Sequence, residues 1–330
     1  MVPAVIDPPL YRALLGELCR ELGAGPALLP PAPRLRGAAA WLETQLAQLQ
    51  DADFGVRFAR ACPVPGMAAA DYQARLLQAP GAPALLAGIR FKGGDLAWPF
   101  VDLLAWDRPL YNAAAWDRVL VRVEEAFGGF RPRAVRVRLA GEVPPPVPAG
   151  RRAIDQWLVA GRLRVLKGQA TPPSGVGAAL PPALRLGGVE DLAFVEELHA
   201  AFVTWRAQVG PRGAEVHVAQ EDELVRCLET GAVVCAWWGG TWAGVAAAAR
   251  ARERAVQGYE VVELFLDAPL RGRGLAARLQ GALVAALSDR GRDALFGTIH
   301  ASNTPSLRTA LRCGRQVAET WWFLSRPTRR

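Results

Sequence analysis

The fold is decided by one short stretch, residues 266–276, which reads Leu-Asp-Ala-Pro-Leu-Arg-Gly-Arg-Gly-Leu-Ala. Before it, segment 259–266 is rich in β-branched and aromatic residues, which predicts a buried strand. After it, apolar residues recur at helical spacing, which predicts an amphipathic helix beginning at about Gly274. The residues that carry this spacing are Leu275, Leu279, Ala282, Leu283, Ala286 and Leu287.

The turn between this strand and this helix has the composition of an anion-binding site. Gly272 and Gly274 allow the backbone to approach a ligand closely, and the first N–H groups of a helix lack a partner within the helix. These donors and the helix dipole suit a pyrophosphate, and Arg271 and Arg273 add charge-assisted contacts. The alternative interpretation is a basic surface turn. The turn lacks the Gly-Lys-Ser/Thr of a P-loop and the third glycine of a dinucleotide fingerprint.

Composition describes a globular protein. The chain has 330 residues, of which 51% are hydrophobic and 21% charged, so we expect one or two domains with a substantial core. The formal net charge is +8, and a basic surface attracts acidic ligands through its long-range field. No Lys/Arg run is interleaved with aromatic residues, so we expect no nucleic-acid partner.

Cysteine spacing and the N-terminus favour a reduced, cytoplasmic protein. The five cysteines form no CxxC and no metal-ligand spacing, so we expect no metal site. The N-terminus has no signal-peptide pattern. The uncharged run 232–249 is long enough to suggest a membrane span, but Gly239-Gly240 divides it into two short runs, which predicts a buried β-hairpin. We therefore expect no membrane partner.

The chain repeats its order of elements. At an offset of 160 residues, Asp107-x-Pro109-Leu110 falls on Asp267-x-Pro269-Leu270, and Ala134-Val135 falls on Ala294-Leu295. Several matches at one offset predict a tandem duplication. The Pro/Gly/Ser stretch 170–182 is a linker by composition. The predicted lobes are therefore residues 1–169 and residues 183–330.

The first lobe lacks the residues that the second uses for anion binding. Tyr111-Asn112-Ala113-Ala114 stands where the second lobe has Arg-Gly-Arg-Gly, and a proline-rich run at 143–150 replaces the predicted helix 304–312. Proline in a helix interior prevents helix formation. We therefore interpret the first lobe as degenerate and non-catalytic.

Some elements of the chain are less clearly defined by the pattern. Residues 26–33 are predicted as a loop, followed by a helix over residues 38–50, and residues 190–206 are predicted as a helix. Residues 54–61 and 72–78 fit either a strand or a short helix.

The stretch 266–276 resembles the acyl-CoA pyrophosphate loop of the GNAT acetyltransferase superfamily, Arg/Gln-x-x-Gly-x-Gly/Ala. Arg271, Gly274 and Ala276 fill that pattern. The resemblance implies a mixed-sheet α/β (α+β) fold with two tandem GNAT-like acyltransferase lobes, and acetyl-CoA as the acyl donor. Residues 260–266 resemble the family's fourth strand, which parts from the next strand and offers backbone groups to the pantetheine arm of CoA. The CoA-binding residues implied by the resemblance are Phe265, Leu266, Asp267, Arg271, Gly272, Arg273, Gly274, Leu275, Ala276, Asn303 and Ser306.

Residues 303–314 resemble the family's second CoA motif through Asn303, Ser306 and Gly314. Asn303 is also a plausible N-cap with proline near the helix start. Two positions depart from the family pattern. Ala310 stands where many members carry the tyrosine that protonates the departing thiolate, and Arg315 replaces the usual phenylalanine.

Two carboxylates are candidates for the base that takes a proton from an amine. Glu260 stands where the family often has a glutamate in this role, and Glu263 follows on the same strand. Burial near the reacting group would raise the pKa of such a carboxylate toward neutrality. The two-residue period of a strand places the two side chains on opposite faces, so only one is expected to face the acyl group, and we favour Glu260. The alternative is that both are ordinary strand charges.

These observations predict an N-acetyltransferase that transfers an acetyl group directly from acetyl-CoA to an amine. No Ser-His-Asp or Cys-His arrangement suggests a covalent intermediate. The expected acceptor is a small-molecule or peptide amine, and the expected assembly is a monomer or homodimer. One alternative is a non-catalytic acyl-CoA sensor or scaffold. Another is aminoacyl transfer from charged tRNA, which would require strongly salt-dependent RNA binding.

Overall fold

The computed structural model describes residues 6–24, 31–170, 183–210, 216–291 and 293–325. Its contacts divide the chain into two compact units. Unit 1 contains Met1–Trp157 and Ala318–Arg330, and unit 2 contains Leu158–Val317.

Unit 1 is a mixed sheet with helices. Its helices are α1 (Pro8–Gly23), α2 (Pro31–Ala47), α3 (Ala52–Ala61) and α4 (Ala113–Ala126). Its strands are β1 (Arg75–Leu77), β2 (Leu85–Phe91), β3 (Pro99–Trp106), β4 (Ala134–Ala140) and most of β11 (Gln316–Leu324). They lie in the order β1-β2-β3-β4-β11. β3 and β4 pair in parallel, and the other neighbours in this order pair antiparallel. The apolar face of α4 packs on this sheet in the main core.

Unit 2 has the same kind of architecture. Its helices are α5 (Leu163–Ala170), α6 (Val195–Val209), α7 (Glu221–Thr230), α8 (Leu275–Ala286) and α9 (Thr304–Arg312). Its strands are β6 (Leu184–Gly188), β7 (Ala232–Trp238), β8 (Thr241–Glu253), β9 (Val256–Leu266) and β10 (Ala294–His300). They lie in the order β10-β9-β8-β7-β6, in which β9 and β10 pair in parallel and the other neighbours antiparallel. One core packs under α8, and a second packs under α6 and α7. The predicted mixed α/β architecture is confirmed.

The division by contacts differs from the division that the sequence suggested. β5 (Arg152–Arg162) crosses the unit boundary, with its last five residues, 158–162, in unit 2. At the end of the chain, residues 319–324 of β11 pair with β4, so this segment counts with unit 1. The physical reason for this difference is that β11, from the C-terminal half of the sequence, pairs with β4 from the N-terminal half. Residues 171–182 of the predicted linker lie outside the described residues.

Several predicted elements need adjustment. α2 already begins at Pro31, because proline is compatible with the first turn of a helix; residues 26–30 lie outside the described part. The undecided segment 54–61 is helical, as α3, and β1 forms only part of segment 72–78. α6 begins at Val195, later than predicted, and β5 was not predicted.

The elements of the two halves recur at the offset found in the sequence. The bounds of β4 and β10 differ by 160 residues, and the last residues of α4 and α8 are also 160 residues apart. Each half also carries a β-bulge between its two central antiparallel strands, at Leu86/Ala87 and at Ala247/Ala248. The structure thus repeats a bulge that the sequence comparison did not reveal.

The uncharged run 232–249 forms the predicted hairpin. β7 and β8 pair in antiparallel register across a turn in which Gly239 and Gly240 have φ of 58° and 89°. Positive φ at both central residues is typical of the tight turns that join hairpin strands. In the described part of the chain, no helix is both long and apolar enough to cross a membrane.

Gly258 is predicted to be essential for the pairing of β9 with β10. It has φ of 143°, and an added Cβ would overlap the backbone of Ala294 on the neighbouring strand. We expect Gly258→Ala to lower the free energy of unfolding by about 2–4 kcal/mol through strain and overpacking. The matched control is Gly281→Ala in α8, where a Cβ meets nothing within 4 Å. It should stabilise by up to about 1 kcal/mol. Equal melting temperatures for the two variants would show that Gly258 is not required for this pairing.

Candidate functional site

The site is built where β9 and β10 part. These parallel strands pair over only three residues, from Ala294↔Gly258 to Phe296↔Glu260. β8 continues to pair with β9 on its other side as far as Leu266. Because residues 261–266 then have no strand partner toward β10 among the described residues, this edge of β9 can add hydrogen bonds to an extended ligand.

A β-bulge determines which side chains of β9 face the site. Ala247 pairs with Glu263 and Ala248 pairs with Val261, so Val262 has no partner in β8. An extra residue of this kind shifts the alternation of side chains. Glu260 and Glu263 therefore lie on the same face, where both interact with charges of α7. The prediction that they occupy opposite faces is wrong, because the two-residue period is interrupted between them.

Glu263 is held by backbone groups. Its Oε2 accepts a hydrogen bond of 2.9 Å from the N–H of Ala219, and its Oε1 accepts one of 2.9 Å from the N–H of Leu264. The carbonyl of Ala219 in turn lies 3.1 Å from Nε2 of His199 on α6. Burial raises the pKa of Glu263, whereas these two N–H donors oppose the rise. Sequence reasoning missed His199 and Ala219, because a contact through a backbone carbonyl leaves no residue-type signal.

Glu260 has a different environment. Within the described part of the chain its carboxylate makes no hydrogen bond, and it lies at the last paired position before the strands part. Burial raises its pKa, the charges of Glu253 and Glu223 add to the rise, and Arg226 opposes it. A carboxylate without donors and with a raised pKa is suited to accept a proton.

The end of β9 is fixed by short-range hydrogen bonds. The N–H of Asp267 donates to the carbonyl of Ala243 at 2.9 Å, so this N–H is not available to a CoA arm. The Asp267 carboxylate accepts from the N–H of Ala268 and begins a short 3-10 helix, Ala268–Leu270. Of the predicted backbone contacts, the N–H of Leu266 therefore remains the one that faces the open edge by alternation.

The two arginines of the loop have different surroundings. Arg271 folds back, so that its Nε donates to the carbonyl of Leu266 at 2.7 Å. Its guanidinium lies 5.0 Å from the ring of Phe265 and 5.3 Å from the ring of Trp205, within the range of cation–π contact. Arg273 is exposed, and it makes no hydrogen bond or ion pair with any described residue. Arg273 is thus the more available side chain for an anion, and Trp205 is a contact that the sequence did not suggest.

The first turn of α8 presents its backbone donors. Gly272 and Gly274 have φ of 77° and 75°, and the space around each is open. Gly274 occupies the N-cap position, and no side chain of the described residues caps this end. The N–H groups of Leu275 and Ala276 at the start of the helix therefore lack an intrahelical acceptor. This open, uncapped helix start has the donors of an anion-binding site.

The corresponding helix of unit 1 is closed to such a ligand. The side chain of Asn112 accepts a hydrogen bond of 2.9 Å from the N–H of Ala115 and caps α4. A side-chain cap occupies a donor that an anion would otherwise use. Asn303 does the same for α9, accepting from the N–H of Ser306 at 3.3 Å.

Two positions of α9 and its C-terminal end depart from the family pattern. Ala310 is fully buried, so this position offers no proton donor. Arg315 is also buried, and its Nη2 donates to Oε1 of Gln280 on α8 at 2.7 Å. Burial lowers the pKa of Arg315 to about 10. A hydrogen-bonded polar pair thus connects the segment after α9 to the middle of α8, where an aromatic residue is usual.

No group of three or more His, Cys, Asp or Glu side chains that could hold a metal ion occurs among the described residues. The polar groups of the site are the backbone N–H groups of the loop, the arginine guanidinium groups and two carboxylates. This is the chemistry of anion binding and proton transfer.

Residues 195–314 match the model of the acetyltransferase (GNAT) family. The matched segment contains the parted strands, both glutamates and the α8 loop. A comparison with curated proteins gives no match.

Solved structures extend the likeness beyond this segment. The chain is similar to a GCN5-related N-acetyltransferase from Sphaerobacter thermophilus, with 16% identity, 99% of this chain and 98% of that chain covered, and a TM-score of 0.51. It is also similar to a tandem GNAT protein from the clavulanic acid biosynthesis pathway, with 13% identity, coverage of 98% and 96%, and a TM-score of 0.48. The first of these likenesses concerns the fold and spans nearly the whole chain. The predicted GNAT-type fold class is confirmed, and the family supports acyl-CoA-dependent acyl transfer in general.

Gly274→Val tests the anion site. A β-branched residue at φ of 75° is strained, and its side chain would stand in the open space beside the first N–H groups of α8. Loss of one charge-assisted hydrogen bond costs about 1.5–3 kcal/mol. Calorimetry should therefore show a Kd for CoA raised about ten- to hundredfold. Gly291→Val is the matched control, because Gly291 has φ of 79° and is equally open. Both variants should lose similar stability, and equal loss of CoA affinity in both would contradict the assignment.

Proposed function

We propose that the C-terminal half of the chain, residues 183–330, is an N-acetyltransferase that transfers an acetyl group directly from acetyl-CoA to an amine. The observation that carries this proposal is the combination of the uncapped, open start of α8 with the parting of β9 and β10 immediately after Glu260. The first feature fits a pyrophosphate, and the second fits an extended arm beside a strand edge. The acceptor is a small-molecule or peptide amine.

The residues that hold the acyl donor would come from the loop and the open strand. The N–H groups of Gly272 to Ala276 would bind the pyrophosphate, with Arg273 as an additional charge. The backbone of Leu266 would bind the pantetheine arm, and Arg271 would keep that strand end in place through its bond to the Leu266 carbonyl. Acetyl-CoA supplies the acyl group as a thioester. Asn303 and Ser306 would support the site through the capped start of α9.

Glu260 is the proposed general base. An amine must lose a proton to become nucleophilic, and the Glu260 carboxylate would accept it directly or through a water molecule. Glu263 is proposed to position the segment around Ala219, since both of its oxygens already accept backbone hydrogen bonds. The nitrogen–carbon bond then forms and the carbon–sulfur bond breaks. Because a thiol has a pKa of about 8.5, the sulfur can leave as the thiolate without a proton from the Ala310 position.

The N-terminal half, residues 1–169, is proposed to be a degenerate, non-catalytic GNAT-like lobe. Its α4 is capped by Asn112, and it has no glycine in the corresponding loop. A duplication followed by loss of the anion site would account for the recurring elements and the capped helix.

One observation favours an alternative function. The position of the usual acid is the buried Ala310, and a general acid typically contributes about 10²–10⁴-fold to a rate. A protein without that contribution could bind acyl-CoA as a sensor or scaffold.

Thiol release distinguishes the two functions. The chain should release free thiol from acetyl-CoA above background in the presence of at least one member of a panel of polyamines, amino acids, aminoglycosides and peptides. Glu260→Gln should lower kcat by about 10²–10⁴-fold and leave the Kd for CoA unchanged. Glu263→Gln should disturb KM more than kcat. CoA binding without thiol release from any acceptor would support the sensor.

The pH dependence provides an independent check on Glu260. The base must be ionised to act, so kcat/KM should rise as pH increases through the pKa of Glu260. Because burial raises that pKa, the rise should lie above the ordinary glutamate value of about 4.3. Glu260→Gln should remove this limb of the profile. An unchanged limb in the variant would assign the titration to another group.

A further inference from the structure

Unit 1 contains a cleft at the edge of its own sheet. β1 pairs with only the first part of β2, at residues 85–87. The remaining edge of β2 carries Arg90, whose guanidinium carbon lies 6.0 Å from the ring of Phe54 and 5.8 Å from the ring of Phe58 on α3. These residues and Arg57 line a cleft of about 350 Å³. Sites for small molecules have volumes of roughly 300–1,000 Å³.

The aromatic wall of the cleft is firmly held. Phe58 packs edge-to-face on the ring of Tyr72, with the centroids 5.4 Å apart. The hydroxyl of Tyr72 donates to the carbonyl of Cys62 at 2.8 Å and accepts from the N–H of Val64 at 2.8 Å, so it fixes the end of α3. Gly55 allows α3 to approach the segment below it, because a Cβ there would overlap the carbonyl oxygen of Ala69. A wall that is fixed in this way is preorganised for a ligand.

Among the described residues, no carboxylate forms a direct ion pair with Arg90. Its Nη1 donates to the carbonyl of Ile89 at 2.7 Å, and no other hydrogen bond or ion pair joins it to the described part of the chain. Asp102 attracts it from a distance, whereas Arg136 and Arg138 repel it. Burial is the main cause that lowers the pKa of Arg90, and this repulsion adds to its effect. Nε and Nη2 therefore remain as donors for an anion.

We propose that this cleft binds a flat organic monoanion, an aromatic carboxylate, with its carboxylate on Arg90 and its ring against Phe54 and Phe58. A guanidinium fork matches a carboxylate with two parallel hydrogen bonds. Arg57 also lines the cleft, but it is exposed and already pairs with Asp51 at 3.2 Å, so its contribution is smaller. One inner guanidinium and two phenyl rings fit a single charge on an apolar body better than a phosphate dianion. The cleft belongs to unit 1, whereas the residues of the proposed acyl-donor site belong to unit 2.

Naphthalene-2-carboxylate is a suitable probe, because its size fits the cleft. At the ligand efficiency typical of such molecules, we expect a Kd of about 1 mM, measured by saturation-transfer NMR and calorimetry. The neutral 2-naphthamide should bind at least about tenfold more weakly, which is the effect of losing one charged contact. Equal binding of the amide would show an apolar cleft only and overturn the proposal.

Variants locate the binding. Arg90→Gln should raise the Kd for the carboxylate about tenfold or more, while the Kd for CoA stays unchanged. Arg57→Gln changes an exposed side chain, so it keeps the test valid if Arg90→Gln fails to fold, and it should raise the Kd about twofold to threefold. Arg60→Gln is the control, since Arg60 is exposed on the same helix and does not line the cleft.

Two results would refute the site. One is unchanged carboxylate binding in both Arg90→Gln and Arg57→Gln. The other is no saturation by 20 mM probe, which is about twentyfold the expected Kd. A failure of CoA binding would count against the proposed acyltransferase and not against this cleft.

Discussion

The first turn of α8 begins without a side-chain cap from the described residues, and the proposed acyl-donor site depends on this one constraint. Unsatisfied N–H groups at a helix start need an acceptor, and no side chain of the described residues takes that role at the start of α8. Asp267 uses its carboxylate in the preceding 3-10 turn. Gly272 and Gly274 then supply two positive φ angles with open space around them. The loop therefore presents donors to a ligand instead of satisfying them internally.

The comparison between the halves shows how small the chemical difference is. α4 and α8 each follow a strand of their own half, and their last residues are 160 positions apart. One asparagine at the start of α4 satisfies the same kind of donor that glycine leaves open at the start of α8. A single capping residue can therefore separate a helix start that binds an anion from one that only supports the fold.

Sequence reasoning reached the features that depend on local pattern. Periodicity and turn residues predict the strand β9, the start of α8, the glycine hairpin and the bounds of β4 and β10.

The sequence-based predictions were wrong where the geometry depends on how strands pair. The bulge at Val262 depends on how β9 meets β8, and it moved Glu263 onto the face of Glu260. The placement of β11 with β4 depends on a partner that is far away in the chain. The site also contains contacts that cannot be predicted from residue types, such as the hydrogen bond between His199 and the carbonyl of Ala219. Such groupings require three-dimensional packing, because no spacing in the sequence brings them together.

A titration of ¹⁵N-labelled protein with CoA, followed through the backbone amide resonances, addresses the central claim most directly. We expect large shifts for the amides of Gly272, Arg273, Gly274 and Leu275 with CoA, and none of that size with pantetheine, which has no pyrophosphate. If these amides stayed in place with CoA, or moved equally with pantetheine, the helix start would not be the phosphate-binding element.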